Sequence, residues 1–297
     1  MWSDSIVLPP QLNKHDADIA EVAVAAEQTS LGRARRTAAH CRTFWPSPHQ
    51  VCGAILQRYE QLGGMTSWLL WPIEPMSANP DGQGYRQRYQ NGFIYWHPDT
   101  GAHAVAVRNA EVWARNGWET GWLGYPLGGE VPVKGSQPVD GELNGWVQHF
   151  QGGRIYRSPL QQVASINGLI LEEWLEMGGP NSYLGFPIAD EAKTADSIGR
   201  FSVFQDGEMY WHPDAGTWGI SGPFLFEWAK GGRESGTLGY PSGTPVEEVL
   251  LQASQPFQNG LIRGYFEPIN KGSVADFDHS LVWEFDPTPL PIIDHLE

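Results

Sequence analysis

Two tetrapeptides of identical type, Trp96-His97-Pro98-Asp99 and Trp211-His212-Pro213-Asp214, carry the side chains best suited to moving a proton near neutral pH. Each follows a tyrosine, Tyr95 or Tyr210, and Tyr156 stands at the matching place in a third segment. A phenol there could donate to a carbonyl or leaving oxygen. Arg154 and Arg263 interrupt otherwise apolar or aromatic columns and could stabilise developing negative charge. Phe93, Trp96, Trp211, Trp218, His103, Arg157 and Glu208 are the candidate contacts to a ligand. This set suits cofactor-free chemistry: dehydration, cyclisation or a pericyclic, Diels–Alder-type step on an apolar natural-product intermediate. Such steps need a shaped cavity, positioning and one or two acid–base groups. The same residues also have a plainer reading. Pro-Asp is ordinary turn chemistry, tyrosines at one recurring position suit packing, and an ion pair with Glu208 would explain an arginine in the column.

Other chemistries find no support in the sequence. There is no G-x-S-x-G elbow, Walker loop, H-E-x-x-H, paired C-x-x-C or EF-hand pattern. A metal site would have to recruit His97, His103 and His212 from more than one repeat, so neither metal nor cofactor is expected. The formal net charge of −15 argues against nucleic acid or an anionic membrane as partner. The segment Met1-Trp2-Ser3-Asp4-Ser5 shows no basic start followed by an apolar stretch, and no apolar run approaches a membrane span. A cytoplasmic chain is expected, with Cys41 and Cys52 reduced.

The elements that must position these residues recur. The ring residues Tyr59, Trp113, Trp174 and Trp228 are spaced by 54, 61 and 54, and Pro72, Pro126, Pro187 and Pro241 keep the same intervals. Aromatic–Gln pairs recur as Tyr89-Gln90, Phe150-Gln151, Phe204-Gln205 and Phe257-Gln258. A fixed period of this kind signals an array of supersecondary units that bury their apolar faces only by stacking. Within each unit, Ile55-Leu56-x-x-Tyr59 or Leu171-x-x-Trp174 has helical spacing. Gly63, Gly117, Gly178 and Gly232 are placed to end that helix with positive φ. Asn91-Gly92, Gly152-Gly153, Asp206-Gly207 and Asn259-Gly260 predict type I′ hairpins. On the second hairpin strand, Ile94, Ile155, Met209 and Ile262 form a uniform core face, while the opposite face varies in chemistry and is expected to line a pocket.

Leu123-Gly124-Tyr125-Pro126, Leu184-Gly185-Phe186-Pro187 and Leu238-Gly239-Tyr240-Pro241, with Gly92-Phe93-Ile94-Tyr95-Trp96 and Thr100-Gly101-Ala102-His103, resemble the LGFP repeat family over roughly residues 51 to 267. The first unit carries Leu69-Leu70-Trp71-Pro72 instead, without the glycine. The resemblance implies a ring of about five units and an alternative role as a non-catalytic module for cell-wall polysaccharide such as arabinogalactan, with exposed Trp and Tyr stacking on sugar faces. The partner is therefore an apolar or aromatic small molecule or, alternatively, a glycan.

The predicted architecture is mainly β with one short helix per repeat, closed as a propeller-like ring. It divides into an N-terminal helical segment (1–50), four repeats (51–106, 107–166, 167–221, 222–267) and a tail (268–297), all one structural domain. The fifth unit would be a composite of the termini. Asp16 to Ala26 reads as a helix, Phe44-Trp45-Pro46 as an orphan strand, and Leu281 to Phe285 as a strand that closes the ring.

Overall fold

The computed structural model describes residues 40–133, 145–249, 252–266 and 281–286. The helix expected at 16–26 lies outside them, as does the seven-residue excess of the second repeat. The described chain is mainly β, with four short helices and several small antiparallel sheets. It divides into two compact units, Met1–Ala110 with Trp118–Gly129 and Glu111–Gly117 with Glu130–Glu297.

The first unit opens with a hairpin of β1 (Cys41–Thr43) and β2 (Gln50–Cys52), followed at once by helix α1 (Gly53–Gln61). Ile55, Leu56 and Tyr59 form the buried face of α1 and pack with Phe44, Val51, Leu69, Tyr89 and Ile94. Phe44-Trp45-Pro46 is therefore not the strand expected: it is a turn segment that directly follows the paired β1, and Phe44 belongs to the core. The cysteines are not reduced, as the sequence suggested, but joined. The β1–β2 register sets Cys41 opposite Cys52 with Cα atoms 4.1 Å apart, and they form a disulfide. The same unit holds an antiparallel meander of β3 (Ser77–Ala78), β4 (Tyr85–Tyr89), β5 (Gly92–His97) and β6 (Gly101–Ala106).

Helix α2 (Val107–Arg115) follows β6 directly. The second unit then has three meanders of the same order. They are β7 (Val131–Pro132) to β10 (Val163–Ile166), with β8 Trp146–Phe150 and β9 Gly153–Arg157; β11 (Ala192–Lys193) to β14 (Gly216–Ser221), with β12 Arg200–Val203 and β13 Gly207–His212; and β15 (Val246–Val249) to β18 (Leu281–Asp286), with β16 Gln252–Phe257 and β17 Gly260–Phe266. Helices α3 (Gly168–Glu176) and α4 (Gly222–Lys230) follow β10 and β14. The strand read at 281–285 exists, but it pairs with β17 and completes the fourth sheet instead of a fifth.

Two local expectations meet different fates. Gly63, Gly117, Gly178 and Gly232 do take positive φ, at 104, 92, 107 and 94°. The hairpins, however, are not type I′. Their two-residue turns fall one position earlier, at Gln90-Asn91, Gln151-Gly152 and Gln258-Asn259, and none of these residues has positive φ. The glycine after the turn is required for space. A Cβ on Gly207 would lie 2.5 Å from the Ile220 carbonyl oxygen and 2.7 Å from Leu184 Cδ2. Among the described residues, no helix is long and apolar enough to cross a membrane.

Candidate functional site

The core face of the second hairpin strand is as expected: Ile94, Ile155, Met209 and Ile262 are buried. The opposite face is also largely buried, because it packs against the repeat that follows. Tyr156 meets Trp174 edge-on at 4.8 Å and 87°, and Tyr210 meets Trp228 at 4.8 Å and 90°. Phe44 makes the same contact with Tyr59, at 4.9 Å and 87°. Tyr95 is likewise buried and stacks on Trp118. These tyrosines are junction-packing residues. Burial pushes the hydroxyls of Tyr95, Tyr156 and Tyr210 further from their ordinary titration range, which makes them poor acids.

The two histidines are also committed locally. Each ring nitrogen Nδ1 accepts the backbone N–H of the aspartate two residues on, at 3.2 Å for both Asp99 and Asp214. That bond leaves the proton on Nε2, which in His97 faces Gln83 Oε1 at 3.4 Å. His97 lies on the Tyr125 ring at 4.3 Å and His212 on Tyr240 at 4.4 Å. The two tyrosine hydroxyls donate in turn to Asp81 at 2.6 Å and Asp196 at 2.7 Å. His103 and Trp218, cross-strand neighbours of Tyr95 and Tyr210, both turn back onto the carbonyl three residues earlier, Thr100 and Ala215.

The charged candidates divide. Glu208 is buried and paired with Arg233, which also donates to Tyr210 Oη at 2.6 Å. The ion pair anticipated at Glu208 is thus real, but its cation comes from the next repeat. Arg157 pairs with Glu130 through two bonds of 3.0 and 2.9 Å, with its guanidinium over Trp146. Arg154 is half-buried and donates to Tyr156 Oη at 3.3 Å. Arg263 sits half-buried on β17, opposite Ser254. Trp96 and Trp211 are partly exposed, the former stacked on Tyr85. Phe93 packs edge-on against Trp118 at 5.8 Å and holds the Arg88 guanidinium on its face.

What repeats most faithfully is a clamp around the Leu-Gly-aromatic-Pro turn. Trp174 Nε1 donates to the Gly185 carbonyl at 3.1 Å and Trp228 Nε1 to that of Gly239 at 3.0 Å. Gln205 and Gln258 accept the N–H of Phe186 and Tyr240 on Oε1, both at 3.0 Å, while their own N–H groups donate to the same residues' carbonyls. The LGFP repeat family model matches residues 69–121, 123–182 and 184–236, more than half of the chain. The chain belongs to the LGFP repeat family. No curated protein matches it. Among solved structures, it is similar to a hemopexin fold protein CP4 from cow pea, at 11% identity over 71% of this chain and 91% of that one, with a TM-score of 0.17. It is similar to a 2S albumin seed protein from Dolichos at 10% identity over 73% and 94%, with a TM-score of 0.16. Likeness at these TM-scores carries no argument about this chain.

One feature of these LGFP repeats escaped the sequence reading. The residue before the buried leucine of each turn is Trp68, Trp122 or Tyr183 in the first three repeats and Thr237 in the fourth. The leucines Leu69, Leu123 and Leu184 are fully buried, whereas the rings beside them are 45%, 38% and 45% exposed. Trp68 and Tyr183 rest against glycine backbone, so that a Cβ on Gly92 would meet Trp68 Cζ3 at 3.0 Å and one on Gly219 would meet Tyr183 Cζ at 3.3 Å. Each of these two rings therefore lies with one side on sheet backbone and much of the other in water. The leucine column carries an aromatic beside it in three repeats, but which way that ring faces is decided by the turn that holds it, which residue types alone do not display.

Proposed function

We propose that the protein is a non-catalytic glycan-binding module, in which Trp68, Trp122 and Tyr183 are stacking platforms for sugar rings. The observation that carries this reading is the recurrence of a half-exposed aromatic at one repeat position, which in the first and third repeats lies against glycine backbone. One half-exposed ring would be ordinary, but three at one repeat position make a recurring apolar surface, and a sugar face is apolar and flat enough to cover each. Several weak contacts on one chain add through effective concentration, which suits a polymer. In this reading the four sheets and the β1–β2 hairpin are propeller-like blades of a closed ring, with the hairpin as a partial fifth. The Cys41–Cys52 disulfide favours an oxidising compartment over the cytoplasm.

The cofactor-free enzyme with a central pocket is the rival reading. It is weakened because His97, His212, Tyr156 and Tyr210 already spend their polar atoms or rings on structural partners. Titration of the full chain with arabinan and galactan fragments, and separately with apolar aromatic metabolites, separates the two by tryptophan fluorescence. A saturable response to the glycans alone supports the proposal; a response to the metabolites alone overturns it.

A further inference from the structure

We infer that the junction between the second and third repeats binds an anion, the Arg154 guanidinium receiving the single carboxylate or phosphate group that no side chain of the following repeat supplies there. The argument starts from a column of paired positions. The first side chain after the hairpin glycine is Phe93, Arg154 or Glu208 in successive repeats, and in the first and third of these it reaches across to the residue after the helix-ending glycine of the next repeat. Phe93 meets Trp118 there, and Glu208 meets Arg233. The partner of Arg154 at that position is Gly179.

The backbone is the same at all three places, with φ of 56° at Trp118, 58° at Gly179 and 55° at Arg233. The surrounding ring contacts also match, since Tyr156–Trp174 and Tyr210–Trp228 have equal separations and nearly equal angles. The second junction therefore lacks only the side chain that fills the third. Gly179 is buried, and a Cβ there would stand in ordinary contact with Leu175 Cδ2 at 3.5 Å and with the Trp174 ring at 3.9 Å, so this junction has no charged side chain where the third has Arg233.

Arg154 is half-buried, its one hydrogen bond is to the Tyr156 hydroxyl, and no carboxylate of the described residues lies within ion-pair distance. In the same unit Arg115, Arg157 and Arg233 each hold an acid. His149 stands cross-strand from Arg154, and burial together with the arginine's charge holds its pKa down. A neutral imidazole can donate to the same oxyanion without adding a second charge. A guanidinium partly shielded from water and preorganised by a phenol grips carboxylate and phosphate oxygens through paired N–H groups.

This site is separate from the exposed rings and does not rest on the glycan reading. The test is calorimetric titration of the full chain, at low salt, with inorganic phosphate, with sodium glucuronate and with neutral galactose. Saturable binding of at least one anion and none of galactose is expected; a preference for phosphate or for glucuronate tells which oxyanion the ligand carries. Arg154→Met and Gly179→Glu should each weaken anion binding at least tenfold, the second by introducing a carboxylate at the position Arg233 holds in the next junction while keeping the arginine. Absence of saturable anion binding in the wild type, or its persistence in both variants, would overturn the inference.

Discussion

Leu70 holds, at φ 60°, the left-handed backbone that Gly124, Gly185 and Gly239 hold at 64, 70 and 68° in the other repeats, and Tyr59 donates its hydroxyl to the Leu70 carbonyl where tryptophan serves elsewhere. The turn geometry is thus fixed by the repeat even where the residue is wrong for it. A Cβ on Gly185 or Gly239 would lie 2.7 or 2.6 Å from the clamping glutamine's Oε1. Leu70 has that Cβ, and Gln90 contributes only its backbone N–H, to the Trp71 carbonyl at 3.3 Å.

Leu70→Gly should therefore stabilise the first repeat. Relief of left-handed strain is worth about 1–2 kcal/mol, and glycine's extra freedom when unfolded gives back about 0.5–1 kcal/mol. With a restored glutamine clamp, the net gain should be about 1 kcal/mol, read as a higher urea midpoint. The reverse change, Gly185→Leu, should destabilise its unit by at least as much. A lower midpoint for Leu70→Gly would show that the leucine side chain matters more than its backbone.

Asp190 makes the stability of the second unit depend on acid. Burial raises its pKa, but the Arg115 guanidinium and the Ser165 N–H and hydroxyl, both at 2.8 Å, outweigh this and hold the carboxyl below its usual range. A depressed folded pKa means stability that is present above the unfolded value of about 4 and lost as pH falls through the folded one. Asp190→Asn should cost about 2 kcal/mol at pH 7, with wild type and variant converging near pH 2. Parallel denaturation curves at the two pH values check this; an unchanged gap would refute it.

The disulfide closes a short loop that carries Phe44 into the first core. Reduction, or Cys41→Ser with Cys52→Ser, should lower the stability of the first unit by about 2–3 kcal/mol through the freed chain entropy. Calorimetry with and without reductant reads it as a lower midpoint for the transition of that unit, with the second unit unaffected.

Much of this was legible beforehand, for identifiable reasons. Helix spacing, the helix-ending glycines and the apolar strand column follow from local geometry, and all three stand as read. The hairpin glycines were assigned to turn conformation when close strand approach demands them, since a sequence shows that glycine is needed but not which constraint needs it. The varied column has the look of a pocket lining in the sequence, because variation at one repeat position suggests function. Its variation is instead matched by the next repeat: Glu208 has Arg233 and Phe93 has Trp118. Those partners lie 25 residues on, in a column with no regular chemistry of its own, and only the register of one sheet against the following helix turn brings them together.

The most direct test of the central claim is quantitative binding to arabinan and galactan of the wild type and of Trp68→Ala, Trp122→Ala and Tyr183→Ala, singly and combined. The account predicts that each single change weakens binding about three- to tenfold, as expected for loss of one stacking contact, and that the triple change abolishes it with the thermal midpoint preserved. Full glycan affinity in the triple variant would contradict it.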